Sequence, residues 1–140
     1  MRYWDSSALV PLLVRERDTA KRQAQLREDA EIVTWWATRV ECASALNRLA
    51  RSGDLTEESL RKALRKLDRL AATWVEVLPS DRVRAGALRL LRLHGLRAAD
   101  SLQLSACLQA SEGDPARMVL ISADKRLLEA GDREGLYVVA

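Results

Sequence analysis

One histidine, two cysteines, three prolines, six glycines and no phenylalanine occur among 140 residues. A single imidazole, His94, leaves any Ser/His/Asp or Cys/His mechanism one possible base. It stands on an apolar helical stripe with Leu90 and Leu91, where a core or helix-end histidine belongs. Cys42 and Cys107 sit far apart in apolar helical surroundings with no second Cys or His beside them, which is not zinc or redox spacing. So little Gly and Pro excludes a collagenous or low-complexity chain. No uncharged stretch is longer than residues 101–111, against the ~20 residues a membrane-spanning helix needs. The apolar run 6–14 follows Asp5 and meets Arg15 and Glu16 without a small-x-small cleavage site, so a signal peptide is not expected and the location is expected to be cytoplasmic.

What is present describes a compact globule. Hydrophobic residues at 48% and charged residues at 31% suit a packed core with a solvated surface, and the length suits a single domain over residues 1–140. The net charge of +3 and a pI near 9.2 give a mildly basic surface, compatible with a polyanionic partner without demanding one.

Short β-rich runs alternate with longer helical ones. Residues 2–4 read as a strand leading into Asp5-Ser6-Ser7 and a brief helix carrying Pro11, followed by a charged helix over 18–28. Residues 31–35 form a second strand, rich in β-branched and aromatic side chains. A helix over 38–51 is closed by Gly53. The next opens at Thr56-Glu57-Glu58 and places Leu60, Ala63, Leu64, Leu67, Leu70, Ala71 and Trp74 on one 3.6-residue stripe. Residues 75–78 form a third strand stopped by Pro79, and Ser80 or Asp81 caps a helix running to His94 and closed by Gly95. Helix 98–110, strand 118–122, helix 124–130 and strand 136–139 complete the chain. Strands separated by helices cannot be hairpins. The expectation is an α/β fold: a three-layer α/β/α domain with a mainly parallel five-stranded sheet.

In such sheets ligands gather outside the carboxyl ends of the strands, so acids directly after strands come first. Asp5 and Asp124 are there. Glu41 stands among Ala37, Thr38, Ser44 and Ala45, and Asp100 opens a helix uncharged for the next eleven residues; both helices read as largely buried. Each acid also has a bland reading as a helix cap: Asp5 and Asp124 at N-cap positions, Thr38-x-x-Glu41 as a capping box, and Asp100-x-x-Gln103 as something close to one. Capping does not explain why acids from sequence-distant segments fall at strand ends and beside them. Three or four convergent carboxylates form an all-oxygen shell suited to Mg²⁺ or Mn²⁺.

Four segments carry a resemblance: the strand ending in Asp5-Ser6-Ser7-Ala8-Leu9, Val40-Glu41-Cys42-Ala43-Ser44-Ala45-Leu46, Leu96-Arg97-Ala98-Ala99-Asp100-Ser101-Leu102-Gln103-Leu104, and Leu120-Ile121-Ser122-Ala123-Asp124-Lys125-Arg126-Leu127. In order and spacing they resemble the PIN domain, and more narrowly the VapC-type toxins of toxin–antitoxin pairs. The resemblance implies that Asp5, Glu41, Asp100 and Asp124 are the acidic metal-binding and catalytic quartet. It implies that Ser7 is the supporting hydroxyl near the first Asp, and that Ser122 stands where the family often has Thr. It further implies a homodimer, metal-dependent RNA cleavage, and inhibition by an antitoxin protein.

Around the acids, Arg97 is the best single candidate to guide an RNA phosphate. The charges at 61–69 and 82–92 read as solvated, salt-bridged helix faces, and Trp35 and Trp36 as core or dimer contacts. A competing reading makes the chain a catalytically inactive α/β interaction module whose acids are caps. A phosphoacceptor signalling domain fits less well, because it needs paired acids after the first strand and only Asp5 is there.

Overall fold

The computed structural model describes residues 1–140. The chain runs β1 (Arg2–Trp4), α1 (Ser6–Leu13), α2 (Thr19–Glu28), β2 (Ile32–Trp35), α3 (Thr38–Arg51), α4 (Glu57–Ala71), β3 (Val75–Val77), α5 (Asp81–Leu93), α6 (Ala98–Ala110), a 3₁₀ turn (Pro115–Arg117), β4 (Val119–Ile121), α7 (Lys125–Arg133) and β5 (Tyr137–Val139). The strands form one sheet in the order β3-β2-β1-β4-β5, every neighbouring pair parallel. That is the mainly parallel five-stranded sheet expected from the alternation of strands and helices.

Strand periodicity divides the core. Trp4, Ile32 and Ile121 point to the side covered by α1, α3 and α4, where they pack with Leu9, Cys42, Leu46 and Leu67. Tyr3, Val33, Trp35 and Leu120 point to the other side, covered by α5, α6 and α7, with Leu90, Leu104, Cys107 and Leu127. Three layers result. On that second side α5 and α6 approach closely: a Cβ built on Gly86 would lie 2.4 Å from Ser105 Oγ, and that hydroxyl donates to the Val83 carbonyl at 2.7 Å.

Some local expectations shift. Gly53 ends α3 in the left-handed region (φ 83°) as expected, whereas α5 ends because His94 turns extended, and Gly95 has no left-handed role. Pro11 falls in the second turn of α1, inside the helix. His94 occupies the helix end foreseen for it, with Nε2 2.8 Å from Glu134 Oε1. Trp35 is core, while Trp36 is half exposed. No helix is long and apolar enough to cross a membrane.

Candidate metal centre at the sheet switch point

After β1 the chain crosses to β2 on one side and, later, to β4 on the other, so the strand order reverses between β1 and β4. The carboxyl end of that pair is the crevice of a doubly wound sheet. Asp5 is the first residue past β1 and Ser122 the first past β4. The Asp5 N–H donates to the Ile121 carbonyl at 3.1 Å and carries the ladder one step beyond the strands. This backbone continuity brings Ser122 Oγ to Asp5 Oδ2 at 2.6 Å. Ser7, in the first turn of α1, donates to the same oxygen and lies 3.2 Å from Ser122 Oγ. The two hydroxyls in turn accept the backbone N–H groups of Ala123 and Asp124, each at 2.9 Å. The Asp5 carboxylate is therefore buried and fixed by two hydroxyl donors, which are themselves held by the β4–α7 loop.

Glu41 reaches the same crevice from α3. Ser6 Oγ lies 2.9 Å from Glu41 Oε2 and 3.2 Å from Asp5 Oδ1, so one hydroxyl spans two carboxylates. From the opposite layer Gln103 Nε2 donates to Glu41 Oε2 at 3.0 Å and to Thr38 Oγ1 at 2.9 Å, while Gln103 Oε1 accepts from the Tyr3 hydroxyl at 2.7 Å. Thr34 and Thr38 hydroxyls are 2.8 Å apart. The Trp4 carbonyl, which can only accept, takes the single Thr34 proton at 2.7 Å, so Thr38 donates to Thr34.

Asp100 and Asp124 complete the set. Asp124 Oδ1 accepts from the Arg126 and Leu127 N–H groups at 2.8 and 3.1 Å and caps α7. Asp100 lies in the first turn of α6, half-buried, with the exposed Arg97 one turn before it. Desolvation raises its pKa, and the charges of Asp124 and then Asp5 raise it further against the opposing pull of the Arg97 guanidinium and backbone N–H. Glu41 is also raised, chiefly by burial, with Gln103 and Ser6 lowering it and Asp5 and Asp100 raising it. Of the two helices expected to be largely buried, α6 is, from Ser101 to Cys107, whereas α3 buries only Thr38, Cys42 and Leu46; both acids are half-buried along the crevice.

Capping explains one acid fully. Asp124 is a cap, but Asp5 makes no side-chain cap bond although it occupies the N-cap position of α1. The expected Thr38–Glu41 capping box does not form: Ala37 is the N-cap of α3, and both side chains turn into the polar network between the layers. Gln103 likewise leaves its own helix end to reach α3.

The donor set has a definite chemistry. None of the ion pairs in the structure involves Asp5, Glu41, Asp100 or Asp124. Glu41 Oε1 and Asp124 Oδ2 accept no hydrogen bond, and Asp100 accepts from no side chain. The nearby Cys42 thiol is pushed up to about 12 by burial and by Asp5 and Glu41, so no thiolate competes. Like-charged oxygen donors without a cation fit a hard divalent ion. The acids stand as an open set along the crevice, and no three of them close around one point.

Sequence reasoning missed one cation. Arg22 of α2, read only as part of a charged helix, is fully buried; it donates to the Ser122 carbonyl at 3.2 Å and to Gln25 Oε1 at 3.0 Å, and its Nε has no partner. Burial lowers its pKa, while Asp18 and Asp5 oppose that shift. The guanidinium thus sits behind the loop that holds Asp5, and only its lack of exposure, invisible in the sequence, sets it apart from its neighbours.

Comparison with known proteins places the fold in a family. The PIN-domain model matches residues 2–133. Ribonuclease VapC45 of Mycobacterium tuberculosis (strain CDC 1551 / Oshkosh) and Ribonuclease VapC49 of the same species (strain ATCC 25618 / H37Rv) are each 33% identical over 136 residues, covering 97% of this chain and 92% of theirs. Among solved structures, FitAcB from Neisseria gonorrhoeae superposes with a TM-score of 0.71 at 15% identity, covering 100% of this chain and 97% of that one. The motif matches, the sheet order and this near full-length similarity agree, and the chain belongs to the PIN-domain family.

Proposed function

We propose that this chain is an endoribonuclease that hydrolyses RNA phosphodiester bonds with Mg²⁺ or Mn²⁺ held by Asp5, Glu41, Asp100 and Asp124. We further propose that it is the cytoplasmic toxin of a toxin–antitoxin pair, one nuclease domain over residues 1–140. The observation that carries the reading is the set of four acids at the switch point, unpaired by any cation and with oxygens left free of hydrogen bonds. The names of the two mycobacterial relatives support RNA as substrate.

When bound, the ion supplies charge neutralisation at the phosphate and a more acidic water. The rest falls to the chain. Ser7 and Ser122 keep the Asp5 carboxylate in one orientation. Asp100, in the first turn of α6 and within the field of Asp124 and Asp5, is placed to orient an attacking water or take its proton. Arg97, exposed beside it, is placed to meet a phosphate oxygen. Exposed Leu88 and Leu91 on α5 support a protein-binding surface, in keeping with a homodimer or a bound antitoxin.

The test is to incubate purified protein with RNA in Mg²⁺ or Mn²⁺, beside Asp5→Asn and beside an EDTA control. Fragments from the wild type alone, abolished by EDTA, are the expected result. Equal fragments from both proteins, or none from either, refute the assignment and favour an interaction module.

A further inference from the structure

Glu41 has three rotatable side-chain bonds and is only half-buried, so it swings unless something holds it. Ser6 of its own layer contacts it, and the second hold comes from the opposite helical layer. Gln103, 1% exposed on α6, spans the end of the sheet and uses both amide protons, one on Glu41 Oε2 and one on Thr38 Oγ1. Turning the amide over would set its oxygen against the Glu41 carboxylate at hydrogen-bond distance, and neither oxygen can donate there. The fully buried Tyr3 hydroxyl, donating to Gln103 Oε1, reinforces the orientation that remains. Ser6 and Gln103 both engage Oε2, and Oε1 accepts nothing.

The geometry points to Gln103, clamped by Tyr3, as a positioning residue that holds Glu41 with one oxygen free and so sets the affinity of the centre for a divalent cation. The inference rests on Glu41 being a cation ligand, as proposed above. Side chains that orient a ligand through a hydrogen bond change metal affinity about 10- to 100-fold when removed.

Direct Mn²⁺ titration followed by electron paramagnetic resonance tests this without any cleavage assay, with thermal unfolding as the control for folding. Wild type is compared with Glu41→Gln, Gln103→Leu, Tyr3→Phe and the double variant Glu41→Gln/Gln103→Leu. Gln103→Leu is expected to weaken Mn²⁺ binding by about 10-fold or more, and Tyr3→Phe by a smaller factor. In the Glu41→Gln background Gln103→Leu should add no further loss, whereas a merely structural role would lower affinity in both backgrounds alike. Should Gln103→Leu not fold, Tyr3→Phe, which deletes one hydroxyl, carries the same comparison. If the wild type binds no Mn²⁺, the proposed function fails and takes this inference with it. If Glu41→Gln binds like the wild type, Glu41 is not a ligand and the inference is overturned. Wild-type affinity in Gln103→Leu or Tyr3→Phe, with Glu41→Gln impaired, overturns the positioning role alone.

Discussion

Replacing Gly86 with alanine tests how tightly α5 and α6 must pack. Alanine is the better helix former by about 1 kcal/mol, so on propensity alone Gly86→Ala stabilises. The structure cancels or reverses that gain. The new methyl would stand 2.4 Å from Ser105 Oγ, closer than any real Cβ contact, and that hydroxyl is engaged with the Val83 carbonyl at 2.7 Å. Either the hydrogen bond goes, at about 1 kcal/mol, or α6 moves, at the ~1–3 kcal/mol typical of overpacking. Set against the propensity gain, the net change runs from about zero to a loss of about 2 kcal/mol, or up to ~7 °C in Tm at this chain length. Urea unfolding with an unchanged m-value measures it. The same Cβ would be 3.5 Å from Ser105 Cβ, an ordinary contact. Gly86→Ala/Ser105→Ala should therefore be at least as stable as Ser105→Ala alone. A Gly86→Ala protein stabilised by the full ~1 kcal/mol of helix propensity, or a double variant that loses the sum of both single effects, would refute the reasoning. Because α6 carries Asp100 and Gln103, the single variant should also cleave RNA more slowly.

Two further outcomes follow from charge. Asp100→Asn should raise the thermal stability of the metal-free protein at neutral pH while removing cleavage. The raised pKa of Asp100 means its ionised form is a cost to the fold, present above the folded pKa and gone once pH falls below the ordinary value of 3.8. The gap between variant and wild type, read by thermal melts across pH, should thus narrow on acidification. Glu134 has the opposite sign: Arg89 and His94 hold it below its ordinary value of 4.5 against the effect of burial. Glu134→Gln should cost about 0.5–1 kcal/mol at neutral pH, the range for a pair with an exposed partner. That loss in denaturant melts should vanish in acid, as pH drops through the lowered pKa.

Period and punctuation made the sheet legible. Residues 2–4, 31–35 and 118–122 are short, apolar and bounded by charges or turns, and helices between them force parallel pairing, so the carboxyl end of β1 and β4 could be located without coordinates. Asp5 and Asp124 were readable for the same reason. Gln103 and Arg22 were not. In sequence Gln103 sits three residues after Asp100, where a local helix-end bond is the simplest reading, and its true partners are 62 and 100 positions away. Arg22 lies in a run of polar residues, and nothing local distinguishes a guanidinium folded under β4 from one in water. Local patterns show which residues face inward along an element; they do not show which side chains meet across the sheet.

One connection of this fold differs from the rest. At the carboxyl end the links are abrupt: Asp5 alone joins β1 to α1, and three residues join β4 to α7. At the other end α2–β2, α4–β3 and α7–β5 are equally short, but the link from α6 to β4 is long, and its residues 112–117 are largely exposed and lead only into the start of β4. The molecule therefore has one rim where a single inserted residue would turn a ligand away and another where added length leaves the chemistry in place. Variation in loop size among chains of this architecture should accumulate at the α6–β4 connection, leaving the rim that carries the acids free to change only by substitution.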